Sequence, residues 1–469
     1  MKNTFYRFSA SGIILLTILF VIVINLDLAS STKQTGNSEV EPTTESQKVT
    51  FAIPNDASSM EIESLIENYN RDPNHVFKIE VMKIPADRYD DIIALMMTSG
   101  EGPDLFQVRY DMVYYYALNG FIADITEYMD SDFLSRFSTL AIKKANNPRL
   151  EGRIYSFPSE LITTRLIYNK KLLIKAGLKP ESPPRTIQQL YEAAAKITSA
   201  GRGSGEYGFA IPAGDKTEGF SEALETANTF SNLYFYDFNK GKFDLKVYEP
   251  WFEQIIRMKR EEILFPDVAN LTKDEALIQF GMGKIGMMYA TNKDVAFLES
   301  DNQNQIDLGV AMPVVNDLQN YGKYKMEMKT SGWYVINSNT KDLKDVVSIW
   351  KYLYSDEFLG DLYQKQYIIP MQYTDYMTDE NRKRNALAGF MPSGGDSLYP
   401  DVPDTINERD RYQAYKKILT GEQQLQTGFE EQNNMLNIGL LDWISQPNNN
   451  NKYRYIIPNF SQEEPGAER

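Results

Sequence analysis

"SGEGPDLFQVRYD", residues Ser99 to Asp111, decides how the N-terminal part of the chain is read. Two glycines and a proline end a helical pattern, and an apolar run follows at once. A phosphate-cradling loop would need Gly-Lys-Ser/Thr opening a helix, so that amides and a lysine face the phosphates. Here Pro103 removes an amide and Leu105–Val108 reads as a strand, so the nucleotide reading fails. Upstream, Tyr89, Ile92, Ile93 and Met96 recur at helical spacing, preceded by a strand at Phe77–Ile84. Before that come a helical stripe of Met60, Ile62, Leu65, Ile66 and Tyr69 and a strand at Val49–Ile53. This strand–helix alternation predicts parallel strands with helical crossovers, and the glycines become a helix C-cap and an αβ turn. Asp104 is expected to brace that turn.

Composition narrows the function. A chain of 469 residues with 42% apolar content is globular and long enough for more than one core. A net charge of −15 argues against a nucleic-acid surface, which needs clustered Lys and Arg. There is no cysteine and a single histidine, His75. Thiolate zinc sites, iron–sulfur clusters, disulfide frameworks and cysteine nucleophiles are therefore excluded. Ser–His–Asp or HExxH chemistry would have to run through His75, which lies in the polar turn "NRDPNHVF" and reads as a solvated loop histidine. No metal or cofactor is expected. The segment from Asp301, "DNQNQIDLG", hints at a calcium loop, but Ile306 and Met312 stand where glycine and glutamate belong.

At the N-terminus, Lys2 and Arg7 precede the apolar run Ile13–Ile24, and small residues follow in "LASST". Residues 1–29 thus read as a signal peptide or a retained N-terminal anchor. Residues 30–47, rich in Ser, Thr and Glu, read as a flexible linker.

Downstream, "GRIYSFPSELITTRLIYNKKLLIKAGL" carries two strand-like runs and a helix ending at Ala176-Gly177. Thr186 and Gln189 are placed as a capping box for the next helix, with Leu190, Ala193, Ala194 and Ile197 buried. A helix follows at Asp274–Phe280, then apolar "KIGMMYA" and a strand at Leu308–Val314. "SGWYVINSNTKD" leads into a helix with Val346, Ile349, Trp350 and Leu353 inward. Trp350 and Trp443 lie on helical stripes and are assigned to the core, and Trp251 to packing. Of Tyr114–Tyr116, most are packing. Residues 447–469 are expected to be a mobile C-terminal tail.

These blocks, from Val49 to Trp443, resemble the extracellular solute-binding proteins of ABC importers, of the carbohydrate type that includes maltose-binding protein. "GEGPDLF", "YSFPSELITTRLIYNKKLLIKAGL", "ALIQFGMGKIGMMYA", "SGWYVINSNTKDLKDVVSIWKYL" and "QYIIPM" stand in the order of that family's motifs. The resemblance implies a two-lobed, type II periplasmic-binding-protein-like α/β fold with a ligand cleft that closes about a hinge. The N-lobe would comprise 48–160 and 332–369, and the C-lobe 161–331 and 370–446. The chain would cross near Ser159–Thr163, Thr330–Gly332 and Pro370. The sequence departs from the family in lacking the lipobox cysteine common in Gram-positive members, so a lipid anchor is excluded.

In such a fold Arg109, Tyr110 and Asp111, just past a strand's carboxyl end, are candidate ligand contacts. Trp333 could offer a face to a sugar ring, or be a strand tryptophan packed in the core. Glu160, at the first crossing, could accept from hydroxyls or be a solvated hinge carboxylate. Asn292 stands at the family's cleft position. The implied function is capture of a sugar or oligosaccharide for an ABC permease, by a monomer that is exported and not an enzyme. The alternatives are a peptide or other polar solute, a subunit reporting to a surface sensor, and a secreted glycosidase with paired carboxylates.

Overall fold

The computed structural model describes residues 48–137, 139–146, 150–214, 220–300, 306–372, 386–403, 408–445 and 455–465. The segments read as leader (1–29) and linker (30–47), with Asp301 and 447–454 of the tail, lie outside them. The strands in chain order are β1 (Lys48–Asn55), β2 (Lys78–Pro85), β3 (Leu105–Val108), β4 (Glu160–Ile162) and β5 (Thr164–Asn169). Next come β6 (Tyr207–Phe209), β7 (Tyr236–Asp237), β8 (Lys242–Phe243), β9 (Ile285–Thr291) and β10 (Leu308–Ala311). The last are β11 (Met326–Ser331), β12 (Trp333–Ile336), β13 (Ile369–Pro370) and β14 (Asp396–Leu398).

The first lobe is built on the sheet β12-β3-β1-β2. β1 pairs in parallel with β2 and β3, as the crossover spacing requires. The connecting helix Ser59–Arg71 buries Ile62, Leu65, Ile66 and Tyr69. At its end the Asn70 side chain both accepts from the Ile79 amide and donates to the Ile79 carbonyl, fixing β2 to the helix. The helix Tyr89–Ser99 stops at Gly100, whose φ of 81° is left-handed and favours glycine. Asp104 then braces the turn: its Oδ2 accepts from the Thr50 amide at 2.9 Å and the Thr50 hydroxyl at 2.8 Å, and its Oδ1 from the Thr340 hydroxyl at 3.0 Å. β12 closes the sheet by pairing antiparallel to β3, bringing Trp333 opposite Val108.

The second lobe is built on β10-β5-β9-β6, with β6 parallel to β9 and the other pairs antiparallel. β5 is buried along its whole length. The Asn169 side chain caps the helix Lys170–Lys175 by accepting from the Lys171 and Leu172 amides. The core around Trp251, Phe252 and Ile255 is completed by Tyr415 and Phe429 from the C-terminal helices.

A third sheet, β13-β4-β11-β14, joins the lobes. Its β4, β11 and β13 are the three segments expected to cross. Ser331 pairs with Glu160, Thr330 with Leu161, and Pro370 again with Glu160. The crossings are thus hydrogen-bonded to one another rather than independent threads.

Several expectations are corrected. Thr186 accepts from the Gln189 amide, but the Gln189 side chain takes the amide of Arg185, so the reciprocal bond of a box goes one residue early. A full capping box forms instead at Thr272 and Glu275. The strand at Leu308 ends at Ala311, before Pro313 would interrupt the ladder. His75 is not merely solvated: its ring stacks on Tyr69 at 3.7 Å and its Nδ1 lies 2.8 Å from the Tyr69 carbonyl oxygen. Trp443 is only half-buried, against Tyr455. Of Tyr114–Tyr116, Tyr116 is buried and Tyr114 packs against the same cluster, as expected, while Tyr115 is exposed. Residues 455–465 of the tail pack on the second lobe. Tyr455 is buried, Phe460 meets Phe238 at 4.5 Å, and the Lys325 amide donates to Gln462. Their aromatic side chains give the tail apolar surface to bury.

Candidate functional site

Gly332 joins β11 to β12 with φ +66°, and a Cβ there would lie 1.9 Å from Ser159 Oγ. Only glycine permits this approach, which lets the Ser159 amide reach the carbonyls of Ser331 and Gly332. On the other side of Ser159, its carbonyl accepts from the Met371 amide. All three crossings therefore meet at this residue.

Glu160 lies next to that junction, buried to 7% exposure, with the Lys293 ammonium 3.2 Å from its carboxylate. Lys293 also donates to the Ser331 hydroxyl at 3.0 Å. Burial, and then the Glu160 charge, push the Tyr334 hydroxyl well above the usual tyrosine range. Asn292 is buried too. Its Oδ1 accepts from the Thr163 amide at 2.8 Å and its Nδ2 donates to the Leu161 carbonyl at 3.1 Å, tying the end of β9 to the first crossing.

Past β3, Arg109 and Asp111 form an exposed pair, with Asp90 3.7 Å from the guanidinium. Tyr110, between them, turns inward and its ring meets Trp333 at 4.8 Å with planes tilted by 39°. Trp333 is 1% exposed and packs among Ala52, Phe106, Val108 and Val335. Its indole Nε1 has no hydrogen-bond partner, and neither does either polar atom of the Gln372 amide, which is buried one residue beyond Met371. Buried polar groups are ordinarily paired, which sets these atoms at the crossings apart.

The structure brings Tyr110 against Trp333, leaves Arg109 and Asp111 as an exposed pair on either side of Tyr110, and brings Glu160 near Asn292 through Lys293. The ladder pairs Ser331–Glu160 and Trp333–Val108 link the two groups. Sequence reasoning missed Lys144, Lys293, Gln372 and Asp401. Asp401 accepts from the Tyr110 hydroxyl at 2.7 Å and lies 2.6 Å from the Lys144 ammonium. Two of them carried a local signal, Gln372 by its closeness to the third-crossing Pro370 and Lys293 by following Asn292.

A cavity of about 460 Å³ lies elsewhere, in the second lobe, between Arg202, Tyr207, Phe265 and Lys416. Of its acidic lining Glu206 pairs with Lys175 at 2.7 Å, and the cavity touches none of the crossings. Among the described residues no group of three or more His, Asp or Glu side chains could hold a metal ion. No helix among them is long and apolar enough to cross a membrane.

Comparison with known proteins places the chain in a family. The sequence model of a family described as bacterial extracellular solute-binding proteins matches residues 57–358. A maltotriose-binding protein of Pyrococcus abyssi is 28% identical over 32% of this chain and 29% of its own length. The sn-glycerol-3-phosphate-binding periplasmic protein UgpB of Yersinia pestis is 26% identical over 48% of this chain and 50% of its own length. The chain thus spans at most about half the length of these curated relatives. Among solved structures, the GacH receptor of Streptomyces glaucescens, studied unliganded and with acarbose, superposes with a TM-score of 0.70. It covers 85% of this chain and 99% of its own, at 18% identity, a likeness of fold.

Proposed function

The chain belongs to the bacterial extracellular solute-binding proteins, and from that premise we propose that it captures a sugar or oligosaccharide between its lobes for delivery to an ABC permease. Its fold is the two-lobed, type II periplasmic-binding arrangement. We place the N-lobe at 48–160 with 332–369 and the C-lobe at 161–331 with 370–446. The observation that carries the reading is the set of groups gathered at the three paired crossings. The Tyr110–Trp333 pair, the unpartnered Trp333 Nε1 and Gln372 amide, and Glu160 combine aromatic surface with donors and acceptors. Sugars are bound by such combinations, apolar ring faces against aromatics and hydroxyls against fixed polar groups. Tyr110, Trp333, Glu160 and Gln372 would touch ligand, Arg109 and Asp111 would line the rim, and Asn292 would hold the hinge. The protein would act outside the membrane as a monomer, exported by its N-terminal segment.

Calorimetry of the pure protein with maltotriose, acarbose and glycerol 3-phosphate tests the reading. Micromolar binding of a neutral oligosaccharide, about −8 kcal/mol, is expected without turnover. Failure of both oligosaccharides to bind, or release of shorter sugars on incubation, would remove it. Preference for glycerol 3-phosphate would move the ligand class to phosphorylated polyols.

A further inference from the structure

Residues 398–402 run between the two cores. Leu398 is buried in the first-lobe cluster that contains Phe51, Ala141 and Trp350, whereas Tyr399 is buried among the second-lobe aromatics and Val402 packs against them. The Tyr399 hydroxyl donates to the Lys325 carbonyl at 2.7 Å, and its ring meets Tyr234 at 5.2 Å. Asp401 sits within this strap, and its carboxylate bonds to the first lobe. One oxygen accepts from the Tyr110 hydroxyl and the other faces the Lys144 ammonium, which also stands 5.1 Å from the centre of the Tyr110 ring. Lys144 and Asp401 are about one-fifth exposed, at 19% and 23%, so the pair is better shielded than a surface ion pair.

We propose that Asp401 determines the specificity of the cleft, a reading that rests on the proposed function. Its carboxylate orients Tyr110 against Trp333 and neutralises Lys144, so the site accepts neutral sugars and gives an anionic solute no uncompensated cation. It also ties the strap to the first lobe, while Tyr399 and Val402 tie it to the second, so the strap clamps one lobe to the other. Without the carboxylate, Lys144 faces the cleft with a free positive charge and the tyrosine loses the acceptor that orients it. Charge-assisted hydrogen bonds are stronger than neutral ones, which makes the exchange of partners at Lys144 the step that selects ligand charge.

The test uses the full chain with Asp401→Asn, Lys144→Met and, as a variant that keeps the ion pair, Tyr110→Phe. The absence of cysteine allows Met60→Cys and Ile174→Cys, both exposed and on different lobes, to carry a pair of spin labels with no background. In the unliganded protein, Asp401→Asn and Lys144→Met should each move the interspin distance beyond the width of the parent distribution. Their combination should move it no further. By calorimetry, Asp401→Asn should raise the ratio of glycerol 3-phosphate to maltotriose affinity roughly tenfold or more, and Lys144→Met should not. Tyr110→Phe should weaken maltotriose without changing that ratio. Unchanged distances together with an unchanged ratio in a folded Asp401→Asn protein would overturn the proposal. If neither probe binds the parent protein, the sugar-capture reading fails, while the distances still decide whether the clamp exists.

Discussion

Trp333 and Tyr110 meet at 4.8 Å with their rings inclined by 39°, one on β12 and the other at the start of the helix that follows β3. The antiparallel pairing of Trp333 with Val108 delivers the contact. Because the indole is 1% exposed yet its Nε1 lacks a partner, the residue has both a packing and a polar capacity. Trp333→Ala should therefore cost about 3–5 kcal/mol of stability, as large aromatic deletions in cores do. Trp333→Phe keeps most of the volume and removes the N–H, so it should retain the fold and weaken sugar binding. Denaturant unfolding and calorimetry on both variants separate the two capacities. Equal sugar affinity for Trp333→Phe and the parent would confine the residue to the core.

Asp104 offers a second prediction. It gathers the Thr50 amide and hydroxyl and the Thr340 hydroxyl, and its own carbonyl accepts from the Asn337 amide. Asp104→Ala leaves those side-chain-bonded donors unpaired in a partly buried turn, at a cost of about 1–3 kcal/mol. Ligand affinity should be nearly unchanged, because the brace lies at the start of β3 and not at its carboxyl end. Urea unfolding read beside calorimetry checks it, and a large loss of affinity at unchanged stability would contradict the bracing role.

What was legible follows from the range of each interaction. The β1–β3 alternation and the Asp104 brace are written in local periodicity and turn chemistry, within a few residues of where they act, whereas the crossings came from the family resemblance alone. Thr272 with Glu275 is equally local, a Thr-x-x-Glu spacing just ahead of the helix expected at Asp274–Phe280. Asp401 was not legible: its partners Tyr110 and Lys144 are 291 and 257 residues away, and nothing in "YPDVPD" announces them. The tail misled because a mostly polar composition hides three well-spaced apolar side chains, Tyr455, Ile457 and Phe460, whose burial outweighs their neighbours.

Arg165 and Asp396 form a bidentate pair at 2.9 Å with side-chain exposures of 2% and 0%. Arg165 also donates to the carbonyls of Gly389 and Met391, anchoring 386–398 to β5. Breaking a buried pair strands a charge, so Asp396→Asn should lower stability by about 3–5 kcal/mol. Replacing both partners by apolar residues of similar volume should cost less than the single change. Thermal unfolding of the single and double variants measures this, and a double variant no more stable than Asp396→Asn would show that the carbonyl contacts, not the charge, carry the anchoring.

The tyrosines give a pH prediction. Burial pushes the hydroxyls of Tyr234, Tyr248, Tyr334 and Tyr415 well above the ordinary value of 10.0, and Tyr116 up to about 12. Desolvation disfavours the phenolate in the folded chain, while the unfolded chain ionises normally. A folded pKa above the unfolded one means that the unfolded state binds fewer protons above pH 10. The stabilisation is therefore fully present below about pH 10 and drains away as pH rises through the folded values. Absorbance near 295 nm should show an exposed class of tyrosines ionising reversibly near pH 10. A second class should ionise only together with loss of the near-ultraviolet circular dichroism, because the buried phenolates form as the cores around Trp251 and Trp350 open. Reversible titration of every tyrosine near pH 10 with that signal intact would mean that these hydroxyls reach water in the native chain, against their burial in the two lobes.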